Sequence, residues 1–247
     1  MTTKPVLNAE SPKSAIFLDR ELSQLMFNRR VLAQAEDKRI PLLERLRYLC
    51  IVSNNLDEFF EVRVASLLAQ GALNDNPALQ ATLERISTEC HALVQRQYEI
   101  LNTEVLPQLR AKGVHLVRHT DRNEAQRAWV KQYFEQQVRP LLTPIGLDPA
   151  HPFPQVVNKS LNFIVSLSGK DAFGRGTAIA IVKAPRVLPR VIRLPEHLAK
   201  GGAAFCLLSS VIHAHIEDMF TGRDVLAYSQ FRVTRDSDLW VDEDEVK

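Results

Sequence analysis

From Asp19 to about Leu109 the apolar residues recur at helical spacing without interruption, and at Gly113 that regime stops. A chain built this way must form a bundle of helices first and something different afterwards. Leu22, Leu25, Met26 and Leu32 mark one apolar stripe. Pro41 suits the opening position of a second helix carrying Leu42, Leu46, Leu49 and Cys50. Asn76 is placed to cap, and Pro77 to open, a long helix in which Leu79, Leu83, Ile86, Cys90, Leu93 and Gln97 alternate spacings of four and three, the seam of a bundle. Beyond Gly113 the periods mix. Val114 to Val117 reads as a short strand, Asn123 to Val138 as a helix, and Leu161–Leu167 with Thr177–Val182 as a hairpin around Gly169, Gly174 and Gly176. Arg190–Leu194 and Phe231–Arg235 are expected strands, with a helix near Ser209 to Phe220 between them. The fold class is therefore α+β: an antiparallel helical bundle over residues 17–111, then a mixed α/β domain with a largely antiparallel sheet over 112–247. Residues 1–16 are expected to form a disordered tail.

Composition narrows the classes. With 247 residues and 45% hydrophobic content, each half can bury a core. The 31 basic against 29 acidic residues give a net charge of only +2, so any polyanion site has to be local. Cys50, Cys90 and Cys206 lack metal-like spacing and are expected to be buried free thiols of a reducing compartment. The polar first fourteen residues have no signal-peptide core, and no run reaches the roughly eighteen apolar residues of a membrane span. A cytoplasmic address is expected, with the inner face of the membrane as an alternative. The acid-rich run Val241–Lys247 resembles the start of a helix, as though the chain had been cut there.

The stretch Ser53–Ala65 carries the most chemistry. Asn54 is expected to act as N-cap of a third helix running toward Gly71, with Asp57 completing a capping-box-like arrangement. Asn55, Asp57 and Glu58 would then be available to a ligand at a helix start. Two carboxylates there would repel a bare phosphate, so a carboxamide contact to a nucleotide, or a phosphate approached with Mg²⁺ or Arg63, is expected instead. Basic side chains on strands offer a second kind of site: Arg232 and Arg235 around Phe231 and Val233, Arg190 and Arg193 beside another strand, and Lys159 before a third. His213, His215, Glu217 and Asp218 superficially suggest a metal cluster. Two residues apart on a helix means nearly opposite faces, and no shared ion is expected. The glycines at 169, 174 and 176 lack a phosphate-loop ending, and no zinc spacing or nucleophile elbow is present.

Ser53-Asn54-Asn55-Leu56-Asp57-Glu58-Phe59-Phe60, together with Asp19–Ser23, Phe27–Leu32, His151–Pro154, Asn158–Phe163, Leu188–Pro195 and Phe231–Leu239 in this order, resembles bacterial polyphosphate kinase of the first type. The resemblance implies an N-terminal portion of an enzyme that transfers the terminal phosphate of ATP, reversibly and with Mg²⁺, to inorganic polyphosphate. It places the phosphorylated histidine in C-terminal domains with a phospholipase D-like fold, so that this chain alone would be inactive. By motif match it carries the family's nucleotide-contacting asparagine onto Asn55, with Arg63 as a secondary candidate. Lys159, Arg190, Arg193, Arg232 and Arg235 become candidates for a polyphosphate path. It implies a homo-oligomer, a dimer or a tetramer, and gives His151 no catalytic part. The alternative is a non-catalytic module that dimerises or holds polyanions. Nucleic acid is disfavoured, because Phe163 and Phe231 alternate into the expected core instead of interleaving with the basic side chains.

Overall fold

The computed structural model describes residues 19–73, 76–148, 152–169, 178–199 and 201–236. His151, the hairpin glycines 174 and 176, the N-terminal tail and the acidic run at 241–247 lie outside the described residues. Contacts group the chain into two units, 1–100 and 101–247.

The first unit is helical. Helix α1 spans Arg20–Glu36 and is capped by Asp19, whose Oδ1 accepts the Leu22 amide at 2.9 Å. Helix α2 spans Leu42–Glu58 after Pro41 and does not stop at Asn54. It runs on through a π-helical turn, Phe59–Val64, into α3, Ala65–Leu73. The expected helix start at Asn54 is thus corrected: Asn54, Asn55 and Asp57 sit inside one helical run, and no free N-terminal amides lie beneath them. Helix α4 spans Pro77–Ile100, with Asn76 Oδ1 accepting the amides of Ala78 and Leu79, and it buries Ile86, Cys90, Leu93 and Gln97 as the seam requires.

Two stripe residues are displaced from the expected core. Met26 is 60% exposed because α1 buries Leu25, Asn28, Leu32 and Ala35 instead. On α2 the buried row is Arg45, Leu49, Val52 and Leu56, which leaves Cys50 exposed, contrary to its expected burial. In both cases a polar side chain, Asn28 or Arg45, occupies a slot that hydropathy alone would leave to an apolar one.

The second unit continues helically through a π turn, Leu101–Val105, and α5, Leu106–Ala111. Gly113, at φ 79°, then turns the chain into β1, Val114–Leu116. Helix α6, Glu124–Tyr133, begins with a full capping box between Asn123 and Gln126 and ends in a third π turn, Phe134–Val138. The strands are β2 (Thr143–Gly146), β3 (Leu161–Ser168), β4 (Ile179–Ala184), β5 (Val191–Arg193), β6 (Ala203–Leu207) and β7 (Asp224–Phe231). They form a four-stranded antiparallel sheet ordered β2-β4-β3-β7 and a three-stranded sheet ordered β1-β6-β5, in which only β1 and β6 are parallel. Phe163, Val165 and Leu167 alternate inward from β3, join Ala180 and Val182 of β4, and pack with Val130, Phe134, Val211 and Ile212 in the core.

Two boundaries differ from expectation. Helix α7 covers only Leu208–Ala214; His215 leaves the helix, stacks on Phe134 and bonds Asp218, and a short 3₁₀ turn follows at Glu217–Met219. Strand β7 ends at Phe231, so Arg232–Arg235 form no strand, although Arg232 and Thr234 keep the exposed positions that alternation assigns them. Among the described residues no helix is long and apolar enough to cross a membrane.

A Cβ at Gly202 would fall 2.0 Å from the Gly113 carbonyl oxygen, beside the parallel β1–β6 pairing. Gly202→Ala is expected to destabilise the chain by about 2–4 kcal/mol in urea denaturation, the range of backbone clashes that cannot relax cheaply. Thiol labelling of the native chain should modify Cys50 alone. Burial pushes Cys90 from an ordinary 9.0 up to about 11, and it raises Cys206, Tyr133 and Tyr228 as well. These groups lose their protons earlier in the unfolded chain than in the native one, so stability should fall as pH rises from about 9 toward 11. Cys90→Ala should reduce that fall.

Candidate functional site

Asn55 is held by a partner 27 residues away. Its Nδ2 donates to Asn28 Oδ1 at 3.0 Å, and Asn28 Nδ2 donates to the Val52 carbonyl at 3.1 Å. The order of this chain fixes both amides, because a backbone carbonyl only accepts: Asn28 must turn its NH₂ to Val52, its oxygen then faces Asn55, and Asn55 must donate. Asn28 is 3% exposed and Asn55 half-buried. Asn55 is left with a carbonyl oxygen that accepts from no described residue, and with a second N–H. This acceptor-plus-donor edge matches a purine edge or a ribose hydroxyl, which both donate and accept, better than a phosphate oxygen, which only accepts.

The surroundings are rigid. Arg45 Nε donates to the Ala35 carbonyl at 2.6 Å, so it caps the last turn of α1. Gln97 Nε2 reaches from α4 to the Leu49 carbonyl and to Ser53 Oγ, both at 2.7 Å. Asp57 is 8% exposed and Glu58 faces solvent, so only one of the two acids stands at the surface. Arg63 is half-buried within the π turn. Eight residues overshoot two α-helical turns of about 3.6 residues each. A π turn takes up one extra residue, and with ideal geometry that shift would turn position 63 back toward the face of Asn55. Sequence spacing alone places the two only approximately.

The second candidate site is gathered by the loop 155–160. Lys159 stands at φ 56°, the only non-glycine residue with positive φ among the described residues. A lysine there is held by its neighbours: its amide donates to the Val233 carbonyl at 2.8 Å, Asn158 Oδ1 accepts the Arg235 amide at 3.0 Å, and Ser160 Oγ bonds the Val157 carbonyl at 2.6 Å. Lys159, Arg232 and Arg235 are thereby brought to one place. Two basic residues outside the sequence-derived set join them: Arg186 donates to the Asn158 carbonyl at 2.6 Å, and Lys183 to the Gln155 carbonyl at 2.7 Å. The Lys183-Ala184-Pro185-Arg186 run leaving an apolar strand is the sequence signal for both. Arg190 is largely exposed; desolvation of its covered part and the nearby Arg186 charge both lower its pKa. Arg193 stands apart on β5, 3.6 Å from Glu196. The Asn158–Phe163 motif thus builds the loop, with Asn162 fully buried and bonded to Ser160. His213 and His215 have separate surroundings, and no group of three or more metal-binding side chains converges among the described residues.

Family models for the polyphosphate kinase N-terminal domain and middle domain match residues 17–117 and 125–247. Polyphosphate kinase from Neisseria meningitidis serogroup A is 51% identical over 242 residues, which are 96% of this chain and 35% of that protein. The Pseudomonas aeruginosa polyphosphate kinase is 50% identical over 240 residues, again covering 35% of its length. The crystal structure of polyphosphate kinase from Porphyromonas gingivalis superposes with a TM-score of 0.79 at 28% identity, covering 92% of this chain and 34% of that one. The chain spans about a third of the length of the curated relatives it matches.

Asn28→Ala should cost about 1–3 kcal/mol in urea denaturation, since it strips the buried Val52 carbonyl and Asn55 of their partner. Asn55→Ala, at a half-buried position, should cost less than about 1 kcal/mol. Equal losses would contradict the order of the chain.

Proposed function

This chain belongs to the polyphosphate kinase family, and from that membership we propose that it forms the part of the enzyme that holds the nucleotide and guides polyphosphate. The observation that carries the reading is the Asn28–Asn55 pair, which presents a fixed acceptor and donor at the motif position matching the family's nucleotide-contacting asparagine. Asn55 would bind the base or ribose of ATP, and Arg63, two turns below, would face the phosphates. Polyphosphate carries charge and no bases, so a row of cations suits it. Lys159, Arg186, Arg190, Arg232 and Arg235 would supply that row, and Arg193, engaged with Glu196, would contribute least.

Phosphoryl transfer itself would pass through a phosphohistidine in the part of the relatives outside the matched third, and this chain alone would not turn over. Mg²⁺ would arrive with the nucleotide, neutralising phosphate charge as such transfers require. Among the described residues no group of three or more metal-binding side chains converges to hold a resident ion. The whole enzyme would be a homo-oligomer working in the cytoplasm.

In the complete enzyme, Asn55→Ala should raise the Michaelis constant for ATP about threefold to tenfold, the worth of one or two hydrogen bonds, with an unchanged circular dichroism spectrum. A wild-type constant would remove Asn55 from the site. For this chain, polyphosphate affinity should fall steeply with salt, and the triple substitution Lys159→Ala, Arg186→Ala, Arg235→Ala should flatten that dependence.

A further inference from the structure

A cavity of about 420 Å³ lies between the segment after β1, helix α7 and strand β7, lined chiefly by Arg118, His119, Ser209, Ser210, His213 and Tyr228. No carboxylate lines it among the described residues. Behind it sits Arg122, 3% exposed, whose guanidinium forms no ion pair with a described residue. Its Nη2 donates to Ser210 Oγ at 2.8 Å, and its Nε is buried without any partner. A buried cation lacking a counter-charge is costly, and structures normally supply one. Asp121, its neighbour in sequence, does not: it accepts from Thr120 Oγ1 and lines the adjoining cleft with Arg110 and Arg118, the latter shared by both cavities.

The hydrogen-bond direction at Ser210 decides what the cavity accepts. Because Ser210 Oγ takes a hydrogen from Arg122, its own hydroxyl hydrogen is free to point into the cavity, polarised by the charge behind it. The Ser209 hydroxyl and the exposed Arg118 guanidinium add donors. The imidazoles of His119 and His213 lie 4.2 Å apart, tilted by 33°, and Tyr228 meets His213 edge-on at 4.7 Å while its hydroxyl donates to the His213 carbonyl. Several donors line one cavity over a fixed charge, and no carboxylate is among its described lining residues. We propose that this cavity is a second anion site that takes one phosphate dianion, with Arg118, Ser209 and Ser210 on its oxygens and Arg122 as the counter-charge behind them. Burial lowers the Arg122 pKa, in keeping with a guanidinium that lacks its anion. None of these residues belongs to the strip around loop 155–160, so the site stands whether or not that strip carries polyphosphate.

The phosphate could be free or the end of a condensed chain. Orthophosphate and tripolyphosphate are therefore titrated separately into this chain while the ring signals of His119 and His213 are followed by nuclear magnetic resonance. Saturable movement of both rings is expected with tripolyphosphate; orthophosphate doing the same would identify free phosphate as the ligand, and its failure would identify the chain end. Arg118→Ala, at an exposed position, should weaken binding about tenfold, the worth of a charge-assisted hydrogen bond. Arg122→Met should abolish binding and leave the chain at least as stable in phosphate-free buffer, because a buried unpaired charge is removed. Unmoved histidine signals with both anions, or wild-type affinity in Arg118→Ala, would overturn the proposal.

Discussion

The helical unit depends on buried polar side chains that bond the backbone of a neighbouring helix. Asn28 of α1 reaches the Val52 carbonyl, Arg45 of α2 the Ala35 carbonyl, and Gln97 of α4 the Leu49 carbonyl. Each bond adds only about 1 kcal/mol net, but a mismatched register would leave a buried amide or guanidinium unpaired at a cost of about 1–3 kcal/mol or more. Apolar packing of Leu25, Leu32, Leu49, Val52, Ile86 and Leu93 drives these helices together, and the polar bonds select the one sliding position that satisfies them all. The same bonds set the direction of the Asn55 amide. Its position follows from the packing of α1 on α2 and owes nothing to a helix end.

In the second unit the comparable constraint is the backbone of loop 155–160. A left-handed lysine is unfavourable in isolation, and the amide bond to Val233 together with the Asn158 bond to Arg235 makes it the conformation that satisfies the loop. Once the loop is so fixed, cations from three separate stretches of chain, 159, 183–186 and 232–235, stand around it. Mutual repulsion among such cations is tolerable at the surface and is relieved by a bound polyanion.

Much of this was legible in the sequence. The seam through Ile86, Cys90, Leu93 and Gln97, the Asn76 cap, the helix beginning at Asn123 and the β3–β4 hairpin partners all follow from local periodicity and turn chemistry. The errors share a cause. Asn54-Asn55 resembles a helix start because its stabilising partner, Asn28, is remote in sequence, and Cys50 and Met26 seem buried until Arg45 and Asn28 claim the inward positions. Helix α7 ends early because His215 finds Phe134 and Asp218, contacts that periodicity cannot anticipate. The π turn that holds Arg63 has no sequence signal of its own, and Lys183 and Arg186 join the basic cluster only through the folded loop.

In the proposed division of labour this chain holds the nucleotide and guides polyphosphate, and the chemistry is done by the rest of the enzyme. The most direct measurement is ATP-dependent polyphosphate synthesis, with Mg²⁺, by this chain alone and after mixing with a separately produced remainder of a curated relative. No synthesis is expected from this chain alone, and mixing should give synthesis at a rate above that of the remainder by itself. Turnover by this chain alone would contradict that division of labour.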